Sequence, residues 1–303
     1  MPEARIAIIG GSGLYEMEGL ADVHEVELDT PFGEPSDSIV LGKLEGVNVA
    51  FLPRHGRGHR ISPTRLPVRA NIYALKALGV ERIISISAVG SLKEELRPLD
   101  MVVPDQLIDR TRQRASTFFD DNLVAHVPFA DPFCTALSAL LYQAAGQVCA
   151  DAAVSTSTGQ SRSNDAAAHL GGTYVVMEGP AFSTRAESLM YRSWGADIIG
   201  MTALPEAKLA REAEICYATL ACVTDYDCWR EATEAVTVEM VVANLMKNVS
   251  TSKEVLRRVI PRIPAERSCL CAAALKDAII TSSDRIPGDL KENMRPIIGK
   301  YLK

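Results

Sequence analysis

The chain alternates short apolar runs with amphipathic stretches, and most of the apolar runs end abruptly at glycine or at polar residues. Apolar runs of four to eight residues have the length of buried strands, and the longer periodic stretches between them are typical of helices. This alternation predicts an α/β fold, in which helices cover a buried sheet. We expect a single domain over residues 1–303, with a central mixed β-sheet flanked by helices.

The pattern predicts where these elements lie. Strands are expected at Arg5–Ile9, Val47–Leu52, Val80–Ser87, Met101–Pro104, Tyr174–Met177, Asp197–Gly200 and Tyr217–Val223. Helices are expected at Pro67–Leu78, Phe133–Ala145, Ser183–Trp194, Glu206–Ala213, Val236–Val259 and Cys269–Ile280, with Gly79 and Gly146 ending the first two. The polar stretch Ser155–Asn164 has little periodicity and predicts a surface loop or hairpin rather than a linker between domains.

Composition excludes several classes of protein. The chain has 32 basic and 38 acidic side chains, a net charge of −6, which disfavours binding to the nucleic-acid backbone. No apolar run approaches the roughly 18 residues needed to span a bilayer. The N-terminus does not resemble a secretion signal, and seven irregularly spaced cysteines fit reduced thiols. We therefore expect a cytoplasmic protein that binds neither nucleic acid nor membrane.

Polar or glycine-rich clusters follow directly on the predicted strands, where ligands bind in α/β sheets. These clusters are Gly10–Gly13, Arg54-His55, Ser87–Ser91, Met201-Thr202 and Thr224–Asp227. The glycine cluster fits either a phosphate-binding turn or an ordinary tight turn, since position 16 is Glu where a dinucleotide fingerprint has a third glycine. Arg54 and His55 suit phosphate oxygens, Arg54 through its guanidinium fork, although a solvated basic loop would look the same.

Two further groups have competing interpretations. Asp225 and Asp227 are two apart at a strand end, so both could face one pocket, where repulsion would raise one pKa and create a proton donor. An ordinary loop rich in aspartate is the alternative. Cys269 and Cys271 form a lone C-x-C pair with no second pair or histidine pair for zinc, so a structural role without metal is expected.

Taken together, these motifs resemble the trimeric purine nucleoside phosphorylase superfamily, and most closely its 5′-methylthioadenosine phosphorylase branch. The resemblance is carried by Gly10–Leu14, Asp29–Gly33, Arg54–Gly56, Ala88–Leu92, Asp109–Thr111, Glu178–Ser188, Trp194–Asp197, Met201-Thr202 with Pro205-Glu206, and Thr224–Trp229. It runs collinearly from about residue 5 to 260, and the tail after about 265 matches poorly. Gly200 departs from the pattern, because an Asn often precedes the Met-Thr pair.

The resemblance implies a pentosyltransferase of nucleoside phosphorylase-like fold that acts in purine and methionine salvage. Phosphate, a co-substrate, would attack C1′ of 5′-methylthioadenosine and displace adenine, leaving 5-methylthioribose 1-phosphate; no cofactor or metal is implied. The implied phosphate residues are Ser12, Arg54, His55, Ser87, Ala88 (through its backbone N–H) and Thr202. The implied catalytic and substrate-binding residues are Asp225, Asp227, Ser183, Phe182, Met201, Glu178, Val238, Val241, Val242 and, across the interface of a homotrimer, His126.

Substrate choice follows from hydrogen bonding to the base. The adenine N6 amine needs an acceptor, and N7 needs a proton as the glycosidic bond breaks; the proton is assigned to Asp225. Val238 stands where 6-oxopurine enzymes carry a His for the 5′-hydroxyl, which suits a methylthio group. The alternatives are a phosphorylase of adenosine or 6-oxopurine nucleosides, a hydrolase that uses water, and a nucleoside-binding module without activity.

Overall fold

The computed structural model describes residues 3–11, 14, 17–120, 122–155, 166–230 and 238–302, without the side chains of 154, 155 and 238–242. Within these ranges eleven strands join in one mixed sheet. In chain order they are β1 (Ile6–Gly10), β2 (Ala21–Val26), β3 (Ile39–Leu44), β4 (Val47–Pro53), β5 (Arg82–Ser91), β6 (Met101–Val103), β7 (Gln106–Arg110), β8 (Ala168–Leu170), β9 (Thr173–Met177), β10 (Ile198–Gly200) and β11 (Cys216–Asp225).

Helices flank this sheet. They are α1 (Val68–Ala77), α2 (Thr135–Ser155), α3 (Arg185–Ser193), α4 (Ala203–Glu212), α5 (Val238–Val259), α6 (Gly288–Asn293) and α7 (Arg295–Ile298). Short 3₁₀ turns include Asp227–Trp229, directly after β11, and Leu270–Ala273 in the tail. None of the described helices combines the length and apolar character needed to cross a membrane.

Strand β5 is the centre of the sheet. Its first half pairs in parallel with β1, its far end pairs antiparallel with β10, and its other edge pairs in parallel with β11 along nearly its whole length. The remaining strands extend outward from these partners, with β4, β3 and β2 beyond β1, β9 and β7 beyond β10, and β6 and β8 beyond β11. The ends of β1, β5, β10 and β11 therefore meet near one place.

Alternate side chains of the buried strands enter two apolar cores on opposite faces of the sheet, as the period of two requires. In β1, Ala7 and Ile9 face the core that contains α1 and α4, whereas Ile6 and Ile8 face the core that contains α2. Both faces are apolar because both are covered by helices. The predicted α/β domain with a mixed sheet is thus confirmed.

Two helix predictions are wrong in extent or kind. Helix α2 continues through Gly146 to Ser155, because its mostly apolar residues pack on α5, β8 and β11 and outweigh the modest cost of one glycine. The expected helix at Cys269–Ile280 is only a 3₁₀ turn followed by irregular chain. There the Glu214 carboxylate accepts the Leu275 N–H and the Tyr301 hydroxyl, so a side chain takes over part of the backbone hydrogen bonding.

Four strands, β2, β3, β7 and β8, were not predicted. Strand β2 is almost entirely exposed and β7 is only half-buried, so neither has the apolar run that identifies a strand. Their ladders with β3 and β9 hold them in place instead. The predicted loop at Ser155–Asn164 lies outside the described residues apart from Ser155, which ends α2.

Candidate active site

An interruption in the pairing of β5 opens the middle of the sheet. One edge of β5 pairs with β1 up to Ser85 and with β10 from Gly90 onward, and Ile86–Val89 between them pair with neither; we call this segment the β5 opening. The Ile86 carbonyl at this edge accepts a hydrogen bond from Arg54. Alternate residues of a strand turn their N–H and C=O groups to the same edge, so the Ala88 N–H also faces the opening.

Two hydroxyl groups meet beside the β5 opening. Ser87 Oγ lies 2.9 Å from Oγ1 of Thr202, the residue that precedes α4. These are two of the residues predicted to bind phosphate, and they come from segments 115 positions apart.

Gly200 lies where a side chain has no room. A Cβ there would lie 2.3 Å from the buried Tyr174 hydroxyl, which explains why no Asn occupies that position.

Arg54 makes buried contacts that the sequence did not predict. Its guanidinium is 2 % exposed and closes on the Glu206 carboxylate, with Nε 2.5 Å from Oε1 and Nη2 3.3 Å from Oε2. Burial works to lower the pKa of Arg54, but the adjacent carboxylate outweighs it and raises that pKa. A buried cation needs such a counter-charge. The guanidinium that was expected to bind phosphate is therefore already paired with Glu206. Arg54 contacts the β5 opening through its hydrogen bond to the Ile86 carbonyl.

His55 is also less free than expected. Its Nδ1 lies 2.8 Å from the Ile61 carbonyl oxygen, and burial together with the Arg54 charge lowers its pKa to about 4. The ring is therefore neutral at pH 7, and because a carbonyl only accepts, Nδ1 carries the hydrogen. Nε2 then presents a lone pair, which suits a protonated phosphate oxygen rather than the bare anion. The remaining predicted phosphate residue, Ser12, lies outside the described residues.

Two aspartates with different surroundings stand at the end of β11. A bulge after Val223 brings Asp225 opposite Gly90 of β5. The Asp225 carboxylate accepts the Thr224 hydroxyl at 2.7 Å and the Asp227 N–H at 2.8 Å, so it behaves as an acceptor. Asp227 accepts the Ser188 hydroxyl at 2.5 Å.

Burial and charge act on the Asp227 carboxyl group. Burial raises the pKa of Asp227, the Asp225 charge raises it further, and the Ser188 hydrogen bond offsets only part of the effect. The pKa of Asp227 is therefore raised within the pair, and the assignment of the N7 proton to Asp225 stays a prediction.

Gly90 allows the two aspartates to sit against β5. A Cβ at this position would lie 3.3 Å from Asp225 Oδ1, from Asp227 Cβ and from Ile199 Cγ2. These contacts are tighter than ordinary van der Waals separation, so a side chain here would displace the carboxyl groups. Glycine at the end of β5 is therefore a positioning residue for Asp225 and Asp227.

Glu178 and Met201 are linked by Arg114, which sequence reasoning missed. Arg114 donates to the Met201 and Leu204 carbonyls at 2.5 and 2.7 Å and also bonds the Glu178 backbone and carboxylate. The Glu178 carboxylate further accepts the Arg112 N–H, and its pKa is lowered because these hydrogen bonds outweigh its desolvation. Arg114 follows the Asp109–Thr111 motif by three residues but lies outside it, so the sequence gives it no particular role. Glu206 and Ser188 stood inside quoted motifs but had been given no role.

The other predicted contacts lie at the surface or outside the described residues. Phe182 is 83 % exposed, His126 is exposed, and Ser183 lies beside Met177, with its Oγ 3.4 Å from the sulfur. The side chains of Val238, Val241 and Val242 fall outside the described residues. A cavity of about 880 Å³ near Leu92, His169 and Arg192 contains none of the predicted site residues.

Comparisons with known proteins agree along the whole chain. The model of the phosphorylase superfamily matches residues 5–261. Proteins named S-methyl-5′-thioadenosine phosphorylase from Koribacter versatilis and Geobacter sulfurreducens are 56% and 54% identical to it; the alignments cover 99% of this chain and 97% and 100% of theirs. A methylthioadenosine phosphorylase structure from an antarctic soil metagenomic library superposes with a TM-score of 0.89 at 50% identity, covering 98% of this chain and 99% of that one. A Schistosoma mansoni methylthioadenosine phosphorylase in complex with tubercidin gives 0.78 at 38% identity, with 90% and 96% covered.

Proposed function

The chain belongs to the phosphorylase superfamily, and on that premise we propose that it converts 5′-methylthioadenosine and phosphate into adenine and 5-methylthioribose 1-phosphate. It is a pentosyltransferase, and its reaction serves methionine and purine salvage. The observation that carries the proposal is the pair of unlike carboxyl groups, Asp225 and Asp227, packed against the same strand whose opening presents the Ser87–Thr202 hydroxyl pair.

Phosphate would bind at the β5 opening. The Ala88 N–H and the Ser87 and Thr202 hydroxyls supply donors there, and the charge of Arg54 lies directly behind the Ile86 carbonyl. The neutral His55 ring would accept a hydrogen bond from a protonated phosphate oxygen. Phosphate held in this way attacks C1′ of the ribose as the bond from C1′ to N9 of adenine breaks.

Adenine would leave at the end of β11. Electron density moves into the purine as the bond breaks, and a proton delivered to N7 neutralises it. Asp227 is suited to hold that proton because its pKa is raised, and Asp225 is suited to accept from the N6 amine. Met201 and Glu178, which Arg114 links, would bind the ribose hydroxyls.

The direct test is product formation by the purified chain from 5′-methylthioadenosine, adenosine and inosine, each with and without phosphate. We expect phosphate-dependent release of adenine, fastest from 5′-methylthioadenosine. Release without phosphate would identify a hydrolase, and faster turnover of adenosine or inosine would identify a general purine nucleoside phosphorylase. The apolar 5′ pocket of Val238, Val241 and Val242 stays a prediction. It is tested by Val238→His, which should lower the ratio of kcat/KM for 5′-methylthioadenosine to kcat/KM for adenosine.

We also propose a homotrimer in which a neighbouring subunit completes each site. Phe182 is an apolar side chain left 83 % exposed beside Ser183, and His126 is exposed as well, which suits residues covered by a second copy. Light scattering coupled to size-exclusion chromatography would measure the assembly mass, and a monomer at working concentration would contradict this proposal. The cytoplasmic location stays a prediction.

A further inference from the structure

Four cysteines converge at the end of the molecule opposite the candidate active site. The sulfurs of Cys134, Cys216, Cys269 and Cys271 all lie within 4.8 Å of one another, and those of Cys216 and Cys269 are 3.3 Å apart. Three of the four side chains are buried, and Cys269 is half-buried. All four are free thiols in this structure.

The four sulfurs come from three distant segments. Cys134 directly precedes α2, Cys216 begins β11, and Cys269 and Cys271 lie in the tail around its 3₁₀ turn. The C-x-C pair alone offers two ligands, so no metal site was expected from the sequence. Folding supplies the two missing thiols from positions 82 residues apart.

The spacing of the sulfurs matches a mononuclear tetrahedral centre. Zinc–sulfur bonds of about 2.3 Å in a tetrahedron place neighbouring sulfurs about 3.8 Å apart, within the limit that all four obey here. A multi-iron cluster would hold its cysteines farther apart, because its iron and sulfide atoms lie between them. Four protein ligands fill the tetrahedron and leave no position for substrate, which is the arrangement of structural sites.

A divalent metal binds cysteines as thiolates, so four thiols held this close together are a suitable ligand set for such an ion. Arg82, Glu266 and Arg267 line a pocket of about 60 Å³ that also borders Cys134, Cys216 and Cys269, and this pocket gives an approach to the cluster.

We propose that Cys134, Cys216, Cys269 and Cys271 bind one Zn²⁺ ion as a structural tetrathiolate site that fastens the tail of the chain to the sheet. The site is separate from the proposed reaction. Cys216 and Asp225 stand at opposite ends of β11, about 30 Å apart at the usual rise per residue of a strand. Loss of zinc should therefore lower stability first and leave the chemistry of the folded enzyme unchanged.

Metal analysis of the purified chain gives the first test. After expression with added zinc and purification under reductant, we expect about one zinc per chain. Cys269→Ser and Cys271→Ser should each lose it, whereas Cys149→Ser, which removes a buried thiol outside the cluster, should retain it. Zinc below about a tenth of an equivalent in the parent chain, or iron in its place, would overturn the proposal.

A second measurement does not depend on variants that fold. Replacing zinc by Co²⁺ in the parent chain should give the visible bands of tetrahedral cobalt together with thiolate-to-cobalt charge transfer. A chelator should lower the Tm of the parent and of Cys149→Ser but not that of the cluster variants. The site would be refuted if these cobalt bands did not appear. It would also be refuted if the mass under non-reducing conditions showed the four cysteines paired as disulfides. Phosphorolysis assays on the same samples test the proposed function separately. Failure of the zinc site can therefore be told apart from failure of the proposed function.

Discussion

On the phosphate side of the site, the Arg54 side chain and the Ser87–Thr202 hydroxyl pair are held by hydrogen bonds within the chain, whereas on the base side Phe182 and Ser183 stand on a loop near the surface. The described part of the first region is positioned by the chain itself, because its hydrogen bonds are internal to the chain. The second leaves an aromatic ring in solvent. The difference supports the proposal that the fold itself positions the phosphate site, whereas the base pocket needs substrate and a neighbouring subunit to cover it.

The largest expected effect concerns the carboxyl pair, where the two sides meet. Asp227→Asn should lower kcat by about 10²–10⁴-fold, since the amide cannot deliver a proton. Asp225→Asn should instead weaken nucleoside binding by about 10- to 150-fold, the value of a hydrogen bond to a charged group. Steady-state kinetics for both substrates would separate these effects. If Asp225→Asn abolishes kcat and Asp227→Asn does not, the roles are reversed and the sequence assignment stands.

The rigidity of the phosphate side can be tested through its buried ion pair. Arg54→Ala leaves Glu206 charged and unpaired inside the protein, which should reduce the free energy of unfolding by about 3–5 kcal/mol. Arg57→Ala, which breaks an exposed pair with Glu25, is the matched control and should cost less than about 1 kcal/mol. Urea unfolding measures both. Equal, small losses would show that Arg54 is not a structural element, and an effect on the phosphate KM alone would restore its predicted role as a phosphate ligand.

The neutral His55 ring should make stability depend on pH. Its pKa is lowered to about 4 in the folded protein, so the unfolded chain takes up the proton first as the pH falls. The stabilisation is complete above about pH 6.5 and declines toward pH 4, by up to about 1 kcal/mol between pH 7 and 5 because the ring is not fully enclosed. His55→Gln should flatten this part of the unfolding profile, and His24→Gln on the exposed strand β2 should not. If the parent and His55→Gln profiles match, the pKa of His55 is the same in the folded and the unfolded chain.

The smallest effect is expected at the exposed aromatic ring on the base side. Phe182→Ala should raise the KM for nucleoside about 2- to 10-fold, the value of one aromatic contact, while the phosphate KM stays constant. Its free energy of unfolding should stay within about 0.5 kcal/mol of the parent, because the ring is exposed in the single chain. Leu170→Ala, at another exposed apolar residue, serves as the control. A loss of stability without a change in KM would place Phe182 in subunit packing alone.

The sequence predicted what depends on local pattern. Buried strands such as β1 and β4 were found because their apolar runs end at glycine or charged residues. The contact between Ser87 and Thr202 agrees with the expectation that polar clusters near strand ends converge, and their role toward phosphate stays a prediction. The pairing of Arg54 with Glu206 was not predictable, because nothing in sequence shows that residues 152 positions apart share one buried space. The four-cysteine cluster was missed for the same reason. The raised pKa of Asp227 was not predictable either, because it comes from burial and from the nearby Asp225 charge, which exist only in the folded chain.

The position of β5 between β1 and β11 has a consequence for synthesis of the chain. Arg82 of β5 pairs with Cys216, and the Glu214 carboxylate accepts hydrogen bonds from Leu275 and Tyr301. These contacts therefore join segments that are synthesised at different times. Contacts of such long range slow folding, because loop closure must come before any of the stabilisation they provide. On a ribosome β1, β4 and β5 can form early. The edge of β5 that pairs with β11 stays without a partner strand until residue 225 has emerged. A nascent chain stalled before that point should therefore be the species most prone to aggregation and most dependent on chaperones.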